Sequence, residues 1–359
     1  MQKNFFLQRI EKLISNIQEK EAFLITLPEE VHYFTGFTGE DSYLIIKQNE
    51  IAFFTDLRFI EQIKREKKIE LNVYDVSGRK TIEVILNNLK KDKIERLFIS
   101  KKDMKFEFGE NLSLILLENM IETKDSNLVK KMREKKDELE IEIIRQNLIL
   151  TELSYNIILP KIEEDKTEIE LASELEYFLR KNGAEKMSFD TIVASGDRTV
   201  LPHGRASEKK IKSEEVIMFD YGIKKNGYCS DFTRCFYFGK IIGSEILKLH
   251  GIVLKALKEA EKIVRPGVMA KEVHQAAYNV IEKAGYAQNF WHSTGHGVGL
   301  EIHESPSISS RSETILEEGM VFTIEPGIYI PEICGIRLED MVVVRKNGCE
   351  VLTNSDYDL

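Results

Sequence analysis

Two aspartates eleven residues apart, a run of histidines among glycines, and two glutamates beside apolar stretches carry the chemistry of this chain. In EEVIMFDYGIKKNGYCSDFTRCFYFG, two β-rich runs flank Lys225-Asn226-Gly227, and Asn-Gly is a strong hairpin signal. With Asn226 and Gly227 as the turn, position 220 pairs with 233 and 222 with 231; a register one step nearer the tip sets 220 opposite 231. Either way Asp220 and Asp231 project from one face as direct or diagonal neighbours. Like charges so placed among apolar strands are unfavourable unless a cation neutralises them, and oxygen donors suit hard divalent ions. Alone, the pair is as compatible with two solvated carboxylates at a rim.

Two further segments change that balance. FWHSTGHGVGLEIHES carries His292, His296 and His303 beside glycines that let backbone approach a ligand closely. The spacing is not that of an H-E-x-x-H zinc helix, and Ser-Thr-Gly argues for a loop or strand end. In MVFTIEPGIYIPEICGIRLEDMVVV, Glu325 ends one apolar run and Glu339 begins another, with Arg337 on the face of Glu339. An Arg–Glu surface pair contributes little, but an unpaired carboxylate against long apolar runs is costly. Four acids and one imidazole match two dications, and two ions about 3.5–4 Å apart can share a water, acidify it and polarise a carbonyl. That chemistry is hydrolysis, with the bond unspecified.

The elements that must hold these residues are legible in outline. Residues 20–60 alternate apolar runs with turn signals, predicting strands, followed by helices near 57–67 and 80–91 and a buried strand at 95–100. The first part therefore reads as a small α/β domain. Helical periodicity with little Gly or Pro covers 126–159 and stops at Pro160. A second helix starts at a Thr167 capping box and ends at Gly183; others cover 244–264 and 270–284. Strand-like segments occupy 187–195, 215–238, 290–303 and 319–345. The polar stretch around Glu122–Ser126 divides the chain into domains 1–124 and 125–359.

These residues resemble the pita-bread metallopeptidases: methionine aminopeptidase, aminopeptidase P and prolidase. The family pattern is Asp, a second Asp eleven residues on, His in a Gly-rich strand, then two Glu. Here Asp220, Asp231, His296 in STGHGVG, Glu325 in TIEPG and Glu339 in IRLED fill it. ASGDRTVLPHGRAS, with His203, is similar to the substrate-side segment of the proline-directed branch, and His292, His303 and Arg337 match its additional site residues. YFTGFTG and TDLR resemble its creatinase-like N-terminal domain. Ser293 and Tyr221 vary only beside ligand positions.

The resemblance implies an α/β (α+β) architecture, with a creatinase-like N-terminal domain before a pita-bread catalytic domain. It implies two divalent ions, manganese by preference with cobalt or zinc possible, held by Asp220, Asp231, His296, Glu325 and Glu339. It implies hydrolysis of the bond before proline in Xaa-Pro dipeptides or proline-containing peptides, with Glu325 carrying the proton. His203 and His303 would orient substrate, supported by His292 and Arg337. A prolidase-like dipeptidase is favoured over aminopeptidase P by the compact length. A homodimer is expected of the family. A binding-only module with a degenerate site predicts missing ligands, and none is missing.

Composition bounds the rest. With 42% hydrophobic and 31% charged residues and no apolar tract long enough for a bilayer, no membrane role is expected. A net charge of -9 disfavours nucleic acid, and the lysine run from Lys130 to Lys136 reads as a solvated helix face. The N-terminal MQKNFFLQRIEKLISNIQEK reads as an amphipathic helix rather than a signal peptide. Cys229, Cys235, Cys334 and Cys349 form no C-x-x-C pair, which fits reduced thiols and a cytoplasmic location.

Overall fold

The apolar runs EAFLI, YLII and IAFFT become adjacent strands in a computed structural model that describes residues 4–78 and 81–359. The chain forms two units, Met1–Met132 and Arg133–Leu359. In the first, α1 (Phe5–Ile14) precedes β1 (Glu21–Ile25), α2 (Pro28–Thr35), β2 (Tyr43–Ile46), β3 (Ile51–Thr55), α3 (Ile60–Glu66) and β4 (Asn72–Asp75). Then follow α4 (Thr81–Lys91), β5 (Arg96–Ile99), α5 (Phe106–Glu118) and β6 (Glu122–Asp125). The strands make one mixed sheet, β4-β3-β2-β1-β5-β6. Helix α1 is amphipathic as expected, burying Ile10 and Leu13. Residue 80 of the expected helix 80–91 lies outside the described residues.

Several details differ from the sequence reading. Helix α2 interrupts what reads as continuous strand-and-turn sequence; its signals were Pro28 in the first turn and Gly36, left-handed at φ 78°, as its cap. The polar Glu122–Asp125 is an edge strand paired parallel with β5, mostly exposed and therefore linker-like in composition. The division falls instead between Met132 and Arg133, inside α6 (Leu128–Glu134). Helical periodicity over 126–159 resolves into two helices, because Asp137 caps α7 (Glu138–Ile158). Its side chain accepts from Leu139 N and Glu140 N at 3.0 Å, and Glu140 returns a bond to Asp137 N at 2.9 Å. Nor is Lys136 solvated: it is buried, with Nζ 2.7 Å from Glu304 Oε1.

In the second unit, α8 (Glu168–Lys181) begins at the Thr167 capping box and stops before Gly183, at φ 99°. Strands β7 (Lys186–Met187), β8 (Ile192–Ser195), β9 (Glu215–Tyr221), β10 (Ile223–Lys225), β11 (Tyr228–Cys229) and β12 (Phe232–Phe238) follow. They form the antiparallel sheets β12-β9-β8 and β11-β10-β7. Helices α9 (Ser244–Ile263) and α10 (Ala270–Lys283) come next. After them come β13 (Gly295–Gly297), β14 (Glu304–Ile308), β15 (Val321–Ile324), β16 (Gly327–Ile330), β17 (Cys334–Arg337), β18 (Asp340–Arg345) and β19 (Gly348–Val351). They pair as β14-β13-β15-β18-β19 and β16-β17. Leu249, Val253 and Leu257 of α9, with Val273 and Ile281 of α10, join Met218, Phe322, Ile324 and Val342 in one core. Each such side chain contributes roughly 1.5–3 kcal/mol when fully buried, so the strand ends carrying the polar residues rest on a stiff support.

Candidate metal centre

The hairpin sets the first two acids. Lys225 pairs with Tyr228 across Asn226 and Gly227, both at positive φ (52° and 81°), as a two-residue primed turn requires. Asp220 therefore faces Thr233, and Asp231 is its diagonal neighbour on the same face. Gly222 stands at the break between β9 and β10, where a Cβ would lie 1.9 Å from the carbonyl oxygen of Ser230. The strands can come that close only with glycine there.

Around that hairpin the other donors converge from distant sequence. Asp220, Asp231 and Glu339 each offer a carboxylate oxygen within 4.8 Å of the others. Nε2 of His296, in the middle of β13, lies 3.5 Å from Asp231 Oδ2 and 3.2 Å from Glu325 Oε1. Gly295 permits this approach, since a Cβ there would sit 1.8 Å from the Thr323 carbonyl oxygen. A cavity of about 600 Å³ opens beside the cluster. Asp220, Asp231, His296 and Glu325 line it, as do His203, His292, His303 and Arg337. Glu339, 1% exposed, stays within the wall. The His303 ring meets that of His296 edge-on at 4.3 Å between centroids. Every site residue named from the sequence is thus in one place.

Several partners had no sequence signal. Tyr329, which reads as an ordinary core aromatic, accepts from Arg337 Nη1 at 2.7 Å and lies 2.8 Å from His292 Nε2. Arg337 Nη2 in turn donates to Asp220 Oδ2, completing a chain from His292 to the first acid. Thr233 Oγ1 donates to Glu339 Oε2 at 2.8 Å. Thr323 Oγ1 accepts from the His296 backbone and donates to Glu325 Oε1, both at 3.1 Å. The loop bearing His203 is clamped by the fully buried Glu168, which accepts from Ser195, Arg198 and Ser207 at 2.7–3.1 Å. A small polar residue on a strand looks the same whether it supports a ligand or faces solvent.

The electrostatics are lopsided. Burial, reinforced by the neighbouring acids, pushes the carboxyls of Asp231 and Glu339 well above the usual range. Burial also raises Asp220, against the pull of Arg337. Glu325 goes the other way: burial would raise it, but the hydrogen bond and charge of His296, with His292 and Arg337, hold it near about 2. His296 is raised correspondingly, its desolvation outweighed by Glu325. Glu339 Oε1 is buried with no hydrogen-bond partner among the described residues. Four acids crowded around one imidazole, one with an orphaned oxygen, fit divalent cations: the donor set is hard oxygen plus nitrogen, and bound positive charge would let all four ionise.

Residues 142–346 match the family model described as metallopeptidase family M24. The chain belongs to metallopeptidase family M24. As such it is a metal-dependent hydrolase, and residues 9–135 match the creatinase/prolidase N-terminal domain, so the α/β architecture is the creatinase-like domain followed by the pita-bread M24 domain. The chain is 37% identical to the Xaa-Pro dipeptidase of Pyrococcus furiosus, over 98% of its own length and 99% of that protein's. Among solved structures, it is similar to the X-Pro aminopeptidase from Thermotoga maritima MSB8 (TM-score 0.91, 38% identity, 98% of this chain and 100% of that one). It is also similar to the prolidase from Pyrococcus horikoshii OT3 (TM-score 0.88, 36% identity, 99% of both chains).

Proposed function

We propose that this M24 protein is an Xaa-Pro dipeptidase that hydrolyses the bond before proline using two divalent ions. The observation that carries the reading is the convergence of Asp220, Asp231, His296, Glu325 and Glu339 beside a cavity of about 600 Å³, with one buried glutamate oxygen unpartnered. The kinship with the dipeptidase of Pyrococcus furiosus supports the substrate class.

Asp220, Asp231, His296, Glu325 and Glu339 would hold the ions. Bound there, the ions supply positive charge that polarises the substrate carbonyl and acidifies water. Glu325 receives the proton at a carboxylate oxygen and returns it to the departing proline nitrogen, and Thr323 Oγ1, 3.1 Å from its Oε1, holds the carboxylate in place. His203 and His303 line the cavity and donate from their rings to the oxygen that gains charge. Burial and the neighbouring His296 push His303 down, leaving it a neutral donor near pH 7. Arg337 and Tyr329 hold His292 and Asp220 in register, so their part is positioning.

Manganese is the ion the family resemblance favours, and cobalt or zinc suits the same donors. A cytoplasmic homodimer completes the reading. The four cysteines are unpaired, and among the described residues no helix is long and apolar enough to cross a membrane. Chelation followed by ion add-back, scored on Xaa-Pro against Xaa-Pro-Yaa-Zaa, tests the proposal. Restored turnover concentrated on the dipeptide is the expected result. Turnover that survives chelation removes the metal, and turnover concentrated on the longer peptide makes the protein an aminopeptidase, as its similarity to the Thermotoga structure would allow.

A further inference from the structure

A dipeptide carries a free carboxylate one residue beyond the scissile bond, where a longer peptide continues as neutral chain. A cation on the wall favours the first over the second. Among the described residues lining the cavity, the permanent cations are Arg337 and Arg205. Arg337 is committed: it is 2% exposed and donates to Tyr329 and Asp220. Arg205 is not. Its side chain is 77% exposed, and among the described residues its ion-pair partner is Asp190, also on the cavity wall, at 2.6 Å and 65% exposed.

We propose that Arg205 receives the free C-terminal carboxylate of an Xaa-Pro dipeptide in place of Asp190, and so sets the preference for dipeptides over longer chains. This rests on the dipeptidase reading above. Asp190 is then a built-in stand-in for the substrate carboxylate, of the same charge and geometry. An ion pair this exposed contributes little, so replacing Asp190 with the substrate costs little. A guanidinium can hold the new carboxylate by two parallel N–H donors, which a lysine cannot reproduce. The backbone under Arg205 is fixed while its side chain is largely exposed. Arg198 Nη2 donates to the Arg205 carbonyl at 2.7 Å, and Arg198 Nε is held by the buried Glu168 at 2.9 Å. The same loop carries His203, so a carboxylate seated on Arg205 also fixes the substrate relative to that ring.

The test compares Xaa-Pro with its C-terminal amide, which has the same scissile bond and no terminal charge. In the Arg205→Ala variant, KM for the free acid should rise about tenfold with kcat little changed, the scale of one charge-assisted contact near solvent. The ratio of kcat/KM for acid over amide should fall by the same factor. Arg205→Lys should recover part of that ratio, and Asp190→Asn should raise it by removing the competitor. Equal losses on acid and amide, or no change in the ratio, overturn the assignment of Arg205 while leaving the dipeptidase reading in place. Wild-type protein inert towards Xaa-Pro but active on longer peptides overturns both.

Discussion

Each unit of this protein buries a charged cluster, and the two clusters are balanced differently. In the N-terminal unit, Lys47 is completely buried, yet Nζ meets Glu50 at 2.5 Å, Asn88 at 2.8 Å and also Asp92. Glu50 is satisfied in turn by Tyr74 at 2.6 Å and Asn72 at 2.8 Å. In the M24 unit, four acids face one arginine and one imidazole, and a glutamate oxygen has no hydrogen-bond partner among the described residues. Burial is severe in both, so burial alone does not mark a functional site. A charge cluster that closes on itself holds a fold together, whereas one left open needs something from outside.

The largest effect should come from taking one acid out of the open cluster. Asp231→Ala removes one like charge and one ion donor. Activity is expected to fall on the order of a thousandfold, equivalent to several kcal/mol of lost charge stabilisation. Chemical denaturation of the ion-free protein should show no loss of stability, because a buried acid with unfavourable neighbours has gone. Substantial destabilisation in that measurement would mean the cluster is structural, as in the other unit. The converse substitution, Lys47→Met, strands Glu50 and Asp92 without their cation. A loss of about 3 kcal/mol is expected, the lower end for a broken buried pair since Asp92 is partly exposed. Urea titration checks it, and ion binding measured by calorimetry should be untouched.

How far these clusters could be read from sequence follows the same division. The five residues that gather at the cluster were legible through their types and spacing, which carry the family resemblance; the Asn226-Gly227 turn left direct and diagonal pairing open, and the structure sets Asp231 diagonal to Asp220. Helices with explicit caps were legible too, as at Thr167. Where a cap lies inside a longer periodic run, as at Asp137, periodicity hid it. Lys47 and Lys136 show the limit most plainly. Both look like surface lysines, and partners far along the chain, Asp92 for one and Glu304 for the other, help to hold them buried. Tyr329, Thr233 and Thr323 escaped for the same reason: their types are common in any core or strand.

A smaller change sharpens the contrast within the open cluster itself. Tyr329→Phe keeps the ring and deletes the hydroxyl that joins His292 to Arg337. Removing such a supporting contact should reduce ion affinity or turnover by roughly ten- to a hundredfold. Ion titration together with kcat and KM would separate the two. An unchanged enzyme would show that His292 and Arg337 are held well enough by their other contacts.

The gentlest probe is acidity, and it addresses the closed cluster. Burial would raise the Glu50 carboxyl, but Lys47, Tyr74 and Asn72 together hold it at about 2, against an ordinary value of 4.5. A carboxyl depressed in the folded state contributes stability that is fully present above its unfolded value and is lost as pH falls through the folded one. The contribution should therefore be intact above about pH 5 and decline from pH 4.5 towards pH 2. Denaturation midpoints measured across that window should drop less steeply in Glu50→Gln than in the parent, because the variant has already lost the titrating partner of Lys47. Parallel slopes would mean that the acid sensitivity of the N-terminal unit comes from other carboxylates and that Lys47 draws its compensation chiefly from Asp92.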